Sequence, residues 1–172
     1  MYKTLLAAAA LLATGGSRAA ASPEAPPDWS ADRFLIGKWS CDQTRAGRKT
    51  GREAVLYSFD LDGRWLRLAY TLTPNQSDSP STKTTAYETF DSSLGKWVYI
   101  SMSSDGDYGI SYSAGWKGNI KEYGPPADFP QEWRLIATKL SDNEFSEDIE
   151  ALESDGGWHR TVSLACRRVV PR

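Results

Sequence analysis

Few residues in this sequence have side chains suited to catalysis or metal binding. The 172-residue chain contains one His, two Cys and 22 acidic residues. One His and two distant Cys do not supply the usual ligands of a zinc site or the paired thiols of a redox motif. The Gly-x-Ser-x-Gly motif of a nucleophile elbow does not occur either. The sequence therefore predicts no metal site, no cofactor and no catalytic residue, and we expect that the protein is not an enzyme.

The densest group of acids is the best candidate for paired-carboxylate chemistry, and it comprises Glu144, Glu147, Asp148 and Glu150. Alternation along a strand puts Glu147 on the face opposite the other three acids. We interpret this group as a solvated strand face rather than an acid–base pair.

The single histidine is a candidate haem or metal ligand. His159 alternates with Thr161 and lies beside the Gly156-Gly157 turn. This polar context predicts that the imidazole faces solvent, which argues against a role as an axial ligand.

The N-terminus carries an export signal. Residues 1–21 combine Lys3, an apolar run and a small-residue stretch ending at Ala21, which is typical of a cleaved secretory signal peptide. The apolar run is too short to span a membrane. Its removal leaves 18 basic against 22 acidic residues, so we expect no nucleic-acid binding. The predicted location is the periplasm or the exterior, with no transmembrane segment.

The rest of the chain divides into an arm and one domain. Residues 22–33 are rich in proline and predict an N-terminal arm, with Trp29 outside the folded domain. From residue 34 to 172, short runs of β-branched and aromatic residues alternate with turn signals such as Asp60-Leu61-Asp62-Gly63. About ten such runs predict an all-β, antiparallel up-and-down barrel of about eight to ten strands, since closure removes exposed sheet edges.

The two cysteines fall near opposite ends of this domain. Alternation puts Cys41 on the inward face with Trp39, and it puts Cys166 on the inward face of the last strand with Trp158, Arg160, Val162 and Leu164. If the first and last strands are neighbours, a Cys41–Cys166 disulfide can form, because disulfides persist in the oxidising compartments to which exported proteins are sent. Two separately buried thiols are the alternative.

The segment Phe34-Leu35-Ile36-Gly37-Lys38-Trp39 resembles the opening strand of the calycins, which include the lipocalins. Residues 90–106 and 145–167 resemble a bacterial lipocalin-like family of unknown function within that group. The resemblance implies a barrel that holds one small apolar molecule. It also implies that Gly37 and Trp39 are structural, with Trp39 at the closed end beneath Arg168 or Arg160.

Aromatic residues are spread over most of the strands, and they either fill the barrel or line a pocket. The candidate ligand-binding residues are Tyr57, Tyr70, Tyr99, Tyr112 and Trp133. The sequence thus favours an exported lipocalin-like protein that binds a small apolar or aromatic ligand. The alternative is a periplasmic interaction protein, such as a protease or lysozyme inhibitor, that uses residues 22–33 or the loops. A haem-binding barrel or an enzyme is a third hypothesis.

Overall fold

The chain folds into one closed barrel. The computed structural model describes residues 26–76 and 79–170, so the predicted signal peptide lies outside the described residues. In this part of the chain, ten antiparallel strands each pair with their neighbours in sequence, and the first pairs with the last. The strands are β1 (Gly37–Arg45), β2 (Arg48–Asp60), β3 (Trp65–Pro74), β4 (Thr82–Asp91), β5 (Lys96–Ser103), β6 (Tyr108–Lys117), β7 (Ile120–Gly124), β8 (Trp133–Ser141), β9 (Glu144–Leu152) and β10 (Trp158–Arg168). The predicted all-β up-and-down barrel is confirmed.

Alternating side chains explain why these segments form barrel strands. In β3, Leu66 and Leu68 are buried inside the barrel, while Arg67 between them is on the outer face. The same alternation in β6 buries Ser111 and Ser113, whereas Tyr112 between them points to the outer face. Each strand therefore contributes one of its two faces to the wall of the interior.

One end of the barrel is closed by a capping segment, residues 29–36, which contains a short 3₁₀ helix (Arg33–Leu35). Trp29, Phe34 and Leu35 belong to the main apolar core. The Trp29 indole lies against Trp97, with ring centroids 4.7 Å apart, and donates a hydrogen bond to the Gly63 carbonyl. The prediction that Trp29 lies outside the folded domain is therefore wrong, because this indole finds apolar partners beneath the barrel.

The other end of the barrel is open. It carries the connections that follow β3 and β7, on the same side as the β1–β2 turn.

Register shifts interrupt four of the described strand pairings, including those of β10 with β9 and of β6 with β7. In β10 the register shifts between Arg160 and Val162. Trp158 and Arg160 consequently point outward, where Trp158 stacks on Arg134, and the prediction that they face the interior is wrong. In β6 the register shifts between Ser113 and Trp116, which turns Trp116 inward.

A disulfide joins the strands that close the barrel. Cys41 of β1 lies directly opposite Cys166 of β10, and their sulfur atoms are bonded. The predicted pairing is confirmed, and the alternative of two separate thiols is wrong. The bond links residues that are 125 positions apart in the sequence.

The Gly-x-Trp motif sits at the closed end beside this bond. Trp39 is 1% exposed and donates its indole hydrogen to the Leu35 carbonyl. The Arg168 guanidinium lies over the Trp39 ring, 4.4 Å from its centroid, and donates to the carbonyls of Ile36 and Phe34. Gly37 has φ +121°, and a Cβ there would lie 3.0 Å from the Arg168 guanidinium. Glycine is therefore favoured by both conformation and space.

Candidate functional site

The barrel encloses a cavity of about 480 Å³ that opens to solvent at the end opposite the capping segment. All ten strands contribute to its wall, and the Leu35 side chain contributes to its floor. This volume lies in the range of pockets that hold small molecules.

The apolar part of the wall is formed mainly by leucine, valine and isoleucine side chains. They come from both sides of the barrel and include Val55, Leu68, Leu135, Ile149, Val162 and Leu164. The deepest part of the wall includes Leu66, Phe145 and the disulfide. The lower cavity is therefore suited to an apolar group.

Three predicted tyrosines meet in this cavity. Tyr57, Tyr70 and Tyr99 come from β2, β3 and β5 and all line it. Burial raises the pKa of Tyr57 and Tyr99 well above the usual phenol value. The phenols are thus neutral at physiological pH and offer hydroxyl groups and ring faces to a bound molecule.

The other two predicted ligand-binding residues have different positions. Trp133 lies at the first position of β8, lines the cavity at its opening and is 38% exposed. Tyr112 does not line the cavity, because its neighbours Ser111 and Ser113 occupy the inward positions of β6. The prediction for Tyr112 is therefore corrected: its ring is on the outer face of the barrel.

Two of the carboxyl groups on the cavity wall lie inside it without a basic partner, and sequence reasoning missed both of them. Glu53 of β2 is only 7% exposed. Its one hydrogen bond with a described residue comes from the Gln43 amide at 3.4 Å, and burial raises its pKa to about 7. The alternation Glu53, Val55, Tyr57 is the sequence signal that could have placed this acid inside the barrel.

Glu147 of β9 is the second carboxyl group. It lines the cavity between Phe145 and Ile149 and makes no hydrogen bond or ion pair with a described residue. Burial and the nearby charge of Glu53 raise its pKa to about 7. The interpretation of Glu147 as part of a solvated strand face is wrong, because it lies on the inner face of β9. The other acids of that group lie on the outer face. Asp148 and Glu150 pair outside the barrel with Arg160 and Arg134.

A buried ion cluster connects the capping segment to the barrel wall. The Lys121 ammonium lies 3.0 Å from Asp32 Oδ1 and 2.8 Å from Glu88 Oε1, and all three side chains are at most 2% exposed. Trp116 donates to the same Asp32 oxygen, and Tyr123 donates to Glu88. The cluster is satisfied internally except for Asp32 Oδ2, which has no described partner.

Charge compensation differs between this cluster and the two cavity acids. Burial raises the pKa of Glu88, whereas the adjacent Lys121 opposes that change. Glu53 and Glu147 have no cation in a comparable position among the described residues. The cluster is therefore a structural element of the closed end, while the cavity acids are available to a ligand.

His159 does not contribute to the cavity wall. Its side chain is 54% exposed, and its Nε2 lies 3.1 Å from Asp155 Oδ2 across the β9–β10 turn. The predicted solvent exposure is confirmed. The described residues contain no group of three or more His, Cys, Asp or Glu side chains arranged to hold a metal ion.

The fold and the cavity define a class of protein: a closed antiparallel barrel with a solvent-accessible interior cavity, compatible with the lipocalin-like fold. Sequence comparison finds no matching protein-family model and no matching curated protein. Among the residues described, no helix has the length and apolar character to cross a membrane. The disulfide is compatible with an exported protein.

Proposed function

We propose that this protein is an exported barrel that binds one small, partly aromatic molecule in its cavity. The observation that carries the proposal is the cavity of about 480 Å³, whose wall is predominantly apolar and which opens to solvent at one end of the barrel. A barrel built only for stability would fill this space, because protein interiors are packed to the density of organic crystals.

The distribution of polar groups also supports binding. Apolar side chains form the floor, and the hydroxyl groups of Tyr70 and Tyr99 occur higher in the wall together with Ser101 and Ser103. A few polar groups on an apolar wall are typical of sites that orient a small ligand. Export is part of the proposal and is supported by the signal-like residues 1–21 and by the disulfide.

The interaction-protein hypothesis has less support. Trp29 and Asp32, which belong to the predicted arm, are 6% and 1% exposed because they pack against the barrel of the same chain. These side chains are therefore occupied in closing the barrel and do not form a free docking segment.

Titration with N-phenyl-1-naphthylamine, a neutral dye whose fluorescence rises in apolar surroundings, tests the proposal. We expect saturable binding of about one dye per barrel. The Ser101→Trp variant should weaken binding at least tenfold, because residue 101 is on the cavity wall and an indole there occupies ligand space.

Met102→Trp is the matched control. Met102 is the next residue of β5, but it is 47% exposed on the outer face, so the same new indole should leave dye binding unchanged. Equal binding by both variants and the wild type would show that the dye sits elsewhere on the protein. An absence of saturable binding would count against the proposed function.

A further inference from the structure

The cavity contains acidic groups that its own cations do not neutralise. Its wall includes four carboxyl groups, those of Glu53, Glu88, Asp105 and Glu147, and one basic group, that of Arg45. Glu88 is already paired with Lys121 at 2.8 Å. Asp105 and Arg45 are exposed at the opening. Glu53 and Glu147 are the two acids left inside the chamber.

These two acids have few polar partners within the protein. Glu53 is more than nine-tenths buried, with one long contact at 3.4 Å from Gln43, whereas Glu147 is partly exposed on the cavity wall and has no described hydrogen-bond or ion-pair partner. Asp32 Oδ2 is the only fully buried side-chain oxygen without a partner among the described residues, so the unpartnered oxygens of Glu53 and Glu147 are accessible from the cavity. Both side chains border the empty volume of the cavity, so a bound molecule can supply the missing partner.

The surrounding groups favour a cation over another polar ligand. The other titratable groups facing this region are the phenols of Tyr57, Tyr70, Tyr99 and Tyr123. Burial raises the pKa of each of these phenols, so they stay neutral and the two carboxyl groups set the charge of this region. The faces of such rings attract an ammonium group through their quadrupole.

We propose that the cavity is selective for a small aromatic or apolar amine, whose ammonium group binds Glu147 and Glu53 and whose apolar body occupies the leucine- and valine-lined wall. This inference rests on the proposed function, because it assigns a ligand class to the same cavity. An ammonium group donates up to three hydrogen bonds, which is enough to satisfy both carboxylates at once. Binding would then hold both acids in their charged form and displace their protons.

Three indole probes whose side chains differ in charge test this ligand class. Tryptamine, 3-ethylindole and indole-3-propionate share one ring system and carry a positive, no and a negative charge. At pH 8, where both carboxyl groups are ionised, tryptamine should displace N-phenyl-1-naphthylamine at a concentration at least about tenfold lower than 3-ethylindole. Indole-3-propionate should be the weakest competitor. At pH 5.5 the preference for tryptamine should shrink, because the carboxyl groups are neutral there.

Variants connect the preference to the two acids. Glu147→Gln and Glu53→Gln should each reduce the ratio of tryptamine to 3-ethylindole affinity at pH 8 by about tenfold while preserving 3-ethylindole binding. Glu144→Gln is the matched control on the same strand, since that carboxylate is 48% exposed and pairs with Arg167 outside the barrel. It should leave the ratio unchanged.

The outcomes separate this inference from the proposed function. If the three probes compete equally, or if the ratio is the same in Glu147→Gln and wild type, the cation preference is wrong although the cavity still binds small molecules. If the dye does not bind at all, the proposed function loses its support, and calorimetric titration with tryptamine then decides the inference directly. Tryptamine binding with proton release supports it, and no heat of binding overturns it.

Discussion

The replacement Glu147→Gln is expected to stabilise the ligand-free protein at alkaline pH. The pKa of Glu147 rises from 4.5 to about 7 on folding, because the carboxylate loses its hydration and faces Glu53. The folded state thus binds the proton more tightly than the unfolded state. The contribution of Glu147 to stability is therefore most favourable below pH 4.5 and falls as the pH rises to about 7. At about 1.4 kcal/mol per pH unit, the loss amounts to about 3 kcal/mol, and a neutral glutamine avoids it.

Urea unfolding followed by tryptophan fluorescence measures this effect. At about pH 8.5 the variant should unfold with a free energy about 3 kcal/mol above that of the wild type, and near pH 4.5 the two should be nearly equal. Glu144→Gln removes a carboxylate from the exposed start of the same strand and should change stability by less than about 0.5 kcal/mol. A Glu147→Gln variant that is less stable than the wild type at alkaline pH would refute the assignment of Glu147 as an unpaired acid on the cavity wall.

Three further replacements probe the closed end by the same unfolding assay. Lys121→Met leaves two buried carboxylates without their cation and should cost about 3–5 kcal/mol, whereas Lys117→Met, on an exposed position nearby, should have little effect. A comparable loss in both lysine variants would contradict the role given to the ion cluster. Replacing Cys41 and Cys166 together by Ser should cost about 3–5 kcal/mol, since their bond closes a long loop, and an unchanged midpoint would show that the bond adds no stability. Arg168→Met should cost about 1–3 kcal/mol through the loss of hydrogen bonds to two carbonyls of the capping segment, and retention of full stability would show that other groups secure that segment.

The sequence was sufficient to predict the barrel because its alternation and turns are local signals. Alternation placed Cys41 and Cys166 on inward faces correctly, because no bulge intervenes between Cys41 and Trp39 or between Cys166 and Leu164, and their pairing then depended on the first and last strands being neighbours. Alternation gave the wrong faces for Trp158 and Arg160. The β10 bulge inserts one additional residue after them, and this reverses the face on which each preceding side chain lies. Bulges have no clear signature in a single sequence.

The candidate site was less predictable than the fold, for a physical reason. Acidic residues are normally solvated, so the residue type of Glu147 favours a solvent-facing position, and no motif singles out Glu53. Their alternation with Val55, Phe145 and Ile149 placed them on the inward face all along. The contact of Lys121 with Asp32 joins residues 89 positions apart, and a local sequence pattern cannot predict a contact between residues that distant.

The pairing of β1 with β10 sets the order in which the molecule can be completed. During synthesis from the N-terminus, β1 is made long before β10. One edge of β1 therefore has unpaired backbone groups until the 11 residues of β10 have been made and can pair with it. Closing this seam brings together the most distant parts of the sequence, and such contacts form slowly. The cavity needs all ten strands in its wall, so we expect it to form only when β10 pairs with β1. A chain that ends before β10 is expected to bind no ligand and to expose an unpaired strand edge that can pair with another chain.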